Sequence, residues 1–200
     1  MISLRDLAGL VWALIVAAAL GLGLTWWTTS ERFRPGSLRI GSWTAWPLPD
    51  PQDADRYIRA RIARSGDLPL GPGEGLAFTA LADSDGVPLD GRCRYRIVPI
   101  LPPARWWTLA IYDGAGRTIA NPSARHGFIS SAVLRGPGGV AAVTVAPDVQ
   151  PGNWLPSAPG PFRLVLRLYD SPISGGWALS ERSERVNVSM PEIRRDECLS

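Results

Sequence analysis

A chain of 200 residues has room for one membrane anchor and one medium-sized domain, and is too short for two full domains. Hydrophobic residues at 46% and charged residues at 20% exclude a wholly disordered chain, while 21 Gly and 19 Pro, one residue in five, point to many turns and short strands. The net charge is only +3, and the basic residues, every one of them Arg, are spread among acidic neighbours, which argues against the basic stripe of a nucleic-acid binder.

Residues 1–6 form a short N-terminus with Arg5 and Asp6, and the 21 residues Leu7–Trp27 then carry no charge. As a helix rising about 1.5 Å per residue they span about 31 Å, matching a hydrocarbon core of about 30 Å. Trp26 and Trp27 lie where an interfacial aromatic belt belongs. A cleaved signal peptide is the rival reading. Its apolar region is only about 7–15 residues and ends at a small-residue site, whereas this run continues through Leu20, Leu22 and Leu24. The segment is therefore read as an uncleaved single-pass anchor. Arg5 precedes it and Arg32, Arg34 and Arg39 follow it, so Arg counting alone puts the C-terminal side in the cytoplasm. Large domains translocate largely regardless of such charge. The expected placement is a bacterial inner membrane with the domain in the periplasm. Ala13, Ala17, Gly21 and Thr25 recur every four residues, a spacing that lets two helices approach closely, although an Ala-rich span also produces it by chance.

Residues 28–50 read as a connector broken by Pro35-Gly36, Gly41, Pro47 and Pro49, with Trp43 and Trp46 docked on the domain or the membrane interface. The domain is assigned to residues 51–190. Its first element is an amphipathic helix over 51–65, with Asp50 as N-cap, Pro51 at the first helical position, Tyr57, Ile58 and Ile62 facing inward, and Gly66 ending it.

The period then changes to two. Leu76–Ala82 is a strand, and Asp83-Ser84-Asp85-Gly86 a turn. Arg92, Arg94 and Arg96 alternate with Cys93, Tyr95 and Ile97, predicting a half-buried strand. Ala104–Tyr112 is apolar on both faces, Trp106, Thr108, Ala110 and Tyr112 against Trp107, Leu109 and Ile111, which predicts a central strand covered on both sides. Short strands follow at Arg117–Asn121, Phe128–Leu134, Gly139–Val145 and Pro161–Tyr169, with an edge strand at Arg185–Val188 and a charged tail over 191–200. The sum is an all-β antiparallel sandwich with one N-terminal helix, preceded by the transmembrane helix.

The segments LPPARWWTLAIYDGAGRTIAN and GNWLPSAPGPFRLVLRLYD, with the lead-in DADRYIRARIARSGDLPLG, resemble the bacterial domain of unknown function 1214 over about residues 50–190. The shared pattern is a Trp-rich strand ending in Tyr-Asp, an Asn-Trp-Leu-Pro segment, and a strand ending in Arg-x-Tyr. The resemblance implies a jelly-roll-like sandwich and supplies no reaction, so no catalytic residue is carried over. Larger members place a second domain of unknown function, 1254, ahead of this one, where the present chain has an anchor and a connector.

Chemistry-bearing residues are few. His126 is the only His, and a Ser-His-Asp set can be drawn from Ser123 or Ser130, His126 and Asp113, but no nucleophile elbow surrounds those serines. His126 is read as a loop residue. One His and two Cys leave no zinc set, and no metal or cofactor is expected. Cys93 and Cys198 are able to pair outside the cytoplasm, but a buried free Cys93 with an exposed tail Cys198 is the preferred reading. Asn153 and Trp154 are the candidate ligand-binding residues, able to stack on and hydrogen-bond a small molecule or glycan; the alternative is that Trp154 caps the open end of the sandwich while Asn153 bonds backbone. The favoured role is a non-catalytic envelope accessory or interaction module, with a protein partner or self-association and no nucleic acid. The alternatives are ligand binding and a hydrolase built on His126.

Overall fold

A computed structural model describes residues 4–28, 37–46, 56–65, 70, 74–99, 104–171 and 190–198. The chain divides into two compact units, one comprising Met1–Pro35 with Pro51–Leu68 and the other Gly36–Asp50 with Pro69–Ser200.

The first unit is helical. Helix α1 (Leu4–Thr28) is long and apolar enough over Arg5–Thr28 to cross a membrane. Near its end the Thr25 and Thr28 hydroxyls donate to the Gly21 and Leu24 carbonyls at 2.8 and 2.9 Å, so these polar groups are satisfied within the helix. Helix α2 (Arg56–Ser65) follows, and its Arg64 guanidinium lies 4.1 Å from the centre of the Trp26 ring. The sequence assigned this helix to the β domain, whereas it groups with α1. The expected caps at Asp50, Pro51 and Gly66 lie outside the described residues, as does the expected strand at 185–188.

The second unit is β-structure in two sheets. Its strands are β1 (Leu38–Ile40), β2 (Trp43–Ala45), β3 (Gly75–Ala80), β4 (Cys93–Val98), β5 (Trp106–Asp113), β6 (Gly127–Ile129), β7 (Val143–Ala146), β8 (Trp154–Pro156), β9 (Phe162–Tyr169) and β10 (Glu192–Cys198). One sheet runs β1-β2-β3-β9-β5-β6 and the other β10-β4-β7-β8, and neither closes into a barrel. All neighbours are antiparallel except β7 and β8. Period-two alternation decides the inner faces. Leu76, Phe78 and Ala80, Leu164, Leu166 and Leu168, and Trp107, Leu109 and Ile111 come from the large sheet. Tyr95, Ile97, Val143, Val145, Leu155 and Ile193 come from the small one, and together they form one buried cluster. The Tyr95 and Phe162 rings meet edge to face across the layers, 5.6 Å apart. The layers also approach closely where Gly91 lies against 157–160. A Cβ on Gly91 would sit 1.8 Å from the Ala158 carbonyl oxygen, so no side chain fits there.

Four expectations need correction. The connector, read as broken by Pro and Gly, carries regular structure: β1 and β2 extend the large sheet, while Trp43 docks on the β unit as the sequence allowed, 1% exposed and donating its indole N–H to the Pro191 carbonyl at 2.7 Å. Residues 192–198 are not a tail. They form β10 along β4, where the Ser84 N–H donates to the Ile193 carbonyl and the Ser84 Oγ accepts the Ile193 N–H, both at 2.9 Å. Asp83, 2% exposed, accepts the Asp85 and Val87 N–H groups through Oδ1, while its Oδ2 lies 3.0 Å from the Arg195 Nε. That last approach is a charge contact rather than an aligned hydrogen bond. The Arg195 guanidinium donates to the Pro88 carbonyl at 2.7 Å and lies 5.3 Å from the Tyr95 ring centre.

The third correction is that both cysteines are bonded: Cys93 and Cys198 face each other in the β4–β10 register and form a disulfide. A strand at the edge brings Cys198 to Cys93 where a loose tail would not. The fourth concerns β5. It is next to the edge strand β6, and only its Trp107, Leu109 and Ile111 side is buried; Trp106 is 51% exposed. The segment 117–121 makes only one bridge, Thr118 to Tyr112, and the expected strand at 128–134 is reduced to the short β6.

Candidate functional site

Asn153 and Trp154 stand at the start of β8, where a seven-residue link from Ala146 brings the chain back parallel to β7. Parallel neighbours normally need a long crossover; here Asn153 holds the short one. It is 7% exposed, and its Nδ2 donates to the Leu134 and Ala142 carbonyls at 2.8 and 2.9 Å while its Oδ1 accepts the Leu134 N–H at 2.8 Å. Both amide hydrogens are therefore committed to backbone. The Trp154 indole N–H donates to the Ala146 carbonyl at 3.0 Å, and its own carbonyl accepts from Arg125 at 3.2 Å. These are the bonds of a backbone clamp. Asn153→Ala leaves an N–H and two carbonyls without their partner, so a loss of about 2–3 kcal/mol is expected, read as a lower melting temperature of the purified chain.

The residues drawn into a Ser-His-Asp set are not joined by hydrogen bonds. The Asp113 Oδ1 accepts the Ala115 and Arg117 N–H groups at 2.9 and 2.8 Å, and its Oδ2 accepts the Arg117 side chain at 2.9 Å. The Ser123 hydroxyl donates to Asn121 at 2.8 Å. His126 is half-buried with its Nδ1 unbonded, and its carbonyl accepts the Ile111 N–H at 3.0 Å. No group of three His, Cys, Asp or Glu able to hold a metal occurs among the described residues.

Two carboxylates, Asp90 and Asp113, are held below their ordinary range, Asp90 well below it. The Arg92 guanidinium bonded to Asp90 is the main cause at that residue, and the Arg117 N–H is the main cause at Asp113. Both belong to turns, and both are partly exposed. A carboxylate with a lowered folded pKa contributes stability that is complete above its unfolded value of about 3.9 and is lost as pH falls through the folded value. The melting temperature is thus expected to stay level from neutrality to about pH 5 and to fall below about pH 4. Arg92→Gln should blunt that acid fall, and Arg117→Gln should do so less, because the main cause at Asp113 is the backbone N–H that the substitution keeps. At Tyr95 burial pushes the hydroxyl above its ordinary value, so it stays neutral and accepts the Asp90 N–H at 2.9 Å.

A different place is left open. At the start of β5 a cleft of about 290 Å³ is lined by Ala104, Arg105, Trp106, Trp107, Ser130, Ser131 and Arg135. Its base is tied together where the Ser130 N–H donates to the Trp107 carbonyl at 2.9 Å. Arg135 is braced by the Ser130 and Gly139 carbonyls at 3.0 and 3.1 Å, and Arg105 lies 3.6 Å from Asp170. The sequence reading missed this cleft by counting Trp106 as core. The available signal was asymmetry: Trp106 shares its side of β5 with Thr108 and Ala110, while Leu109 and Ile111 make the other side the better core face.

Among solved structures the chain is similar to the VPA0106 protein of Vibrio parahaemolyticus, with 24% identity and a TM-score of 0.55 over 73% of this chain and 36% of that one. A protein from Burkholderia cenocepacia matches at 16% identity and a TM-score of 0.43, over 80% of this chain and 37% of its own. The chain thus spans little more than a third of either neighbour, and the first likeness supports the fold alone. No curated protein matches it. The family model described as protein of unknown function (DUF1214) matches residues 74–173, from just before β3 to just past β9, and the chain belongs to that family.

Proposed function

We propose that the chain is a single-pass protein of a bacterial inner membrane that holds a jelly-roll-like sandwich in the periplasm as a non-catalytic accessory or interaction module. The observation that carries this reading is that one chain has both the Cys93–Cys198 disulfide and an apolar helix of membrane-spanning length. Disulfides persist in oxidising compartments and are rare in the cytosol, so the bond outweighs the Arg count around α1. The hydrogen bonds that occupy Asp113 and Ser123 weigh against a hydrolase built on His126. The expected result is that alkaline phosphatase fused to the C-terminus, a reporter active only after export, is active. A well-expressed but inactive fusion would reverse the orientation and remove the envelope role with it.

A further inference from the structure

We propose that the cleft at the start of β5 binds a small anionic ring ligand of the kind a sugar acid presents, with Trp106 as its platform and Arg105 and Arg135 as its charge partners. Trp106 is 51% exposed beside an opening of about 290 Å³. An indole has an apolar face on which the C–H face of a sugar ring can lie, and its neighbours here are cationic and polar. The volume sits at the lower edge of small-molecule sites, roughly 300–1,000 Å³, and so suits a single ring.

The charge is equally specific. Arg135 is held by two carbonyls, which orient its guanidinium without neutralising it. With five N–H donors on an arginine, donors remain for an incoming carboxylate. Arg105 has Asp170 at 3.6 Å, with side chains 70% and 72% exposed. Such a pair is weak in water and readily exchanged for a ligand carboxylate. Ser130 also lines the cleft. It is only 8% exposed, and its hydroxyl bonds none of the described residues. None of the lining residues is acidic. A neutral sugar does not require two guanidinium groups, and a bare inorganic anion does not require the indole. The combination fits a carboxylate carried on a ring.

The test is titration of the full detergent-solubilised chain with D-glucuronate, followed by calorimetry and tryptophan fluorescence. D-Glucose and acetate serve as controls for the ring and the charge. Saturable binding of glucuronate is expected, with both controls weaker by at least tenfold. Trp106→Ala, Arg135→Gln and Arg105→Gln should each weaken glucuronate at least about threefold. Arg105 is a surface residue, so its variant keeps the test decisive even if another variant folds poorly. Absence of saturable glucuronate binding, equal binding of glucose or acetate, or affinity unchanged in folded variants would each overturn the proposal. Alkaline phosphatase activity does not depend on this cleft, so failure here and failure of the envelope placement are separate results.

Discussion

Replacing Cys93 and Cys198 with Ser, or reducing the bond between them, is expected to lower the melting temperature by roughly 10–20 °C. The two residues are 105 apart in sequence. In the chain-entropy description, a cross-link closing a loop of about 100 residues stabilises by about 4–5 kcal/mol, because it restricts the unfolded chain. That is a large share of the roughly 5–15 kcal/mol that holds a typical domain together. Cys93 is 4% exposed, so the bond is shielded on one side and should resist mild reductant until the sheet opens. Comparing oxidised, reduced and Cys-to-Ser chains by thermal melting checks this. Identical melting would mean that Ser84, Arg195 and the β4 ladder hold β10 without help.

A sharp contrast is expected between neighbours on β5. Trp107→Ala should cost about 3–5 kcal/mol, since a buried indole leaves both lost transfer energy and a cavity. Trp107 is 4% exposed among Leu109, Leu166 and Leu168 in the inner cluster, a setting with little freedom to collapse. Trp106→Ala, on the half-exposed side, should cost no more than about 1 kcal/mol. Thermal melting of the two variants in the same detergent separates them. If Trp107→Ala melts with the parent, the inner face of the large sheet is not where the burial places it.

The elements legible in the sequence are those whose alternation is undisturbed. β3, β4 and β9 place apolar residues at every second position, and their inner faces follow directly. β10 was illegible for two physical reasons. Its outer positions are charged, leaving Ile193 as its one buried residue, and a register shift between Arg195 and Glu197 breaks the period of two before Cys198 is reached. The disulfide was hidden with it, because a cysteine in an apparent tail has no partner to face. At β5 the difficulty was the opposite: both sides are apolar, so alternation alone is ambiguous, and only the smaller Thr108 and Ala110 beside Trp106 mark the less buried side. Of the candidate ligand residues, the chemistry of Asn153 was legible as hydrogen bonding, but its backbone partners at 134 and 142 are distant in sequence. The cleft is built from the start of β5 and the turn after β6, a juxtaposition that no local pattern encodes.

The place of β10 has a consequence for biosynthesis. Its partner strand β4 is made about a hundred residues earlier, so for much of synthesis and export one side of β4 has nothing to pair with. Open strand edges recruit other chains, and contacts this distant in sequence form late because a long loop must first be closed. The nascent protein is therefore most exposed to misassembly just before residues 192–198 arrive. The Arg residues that project outward from β4 at 94 and 96 supply the repulsion between identical edges that would discourage it during that interval.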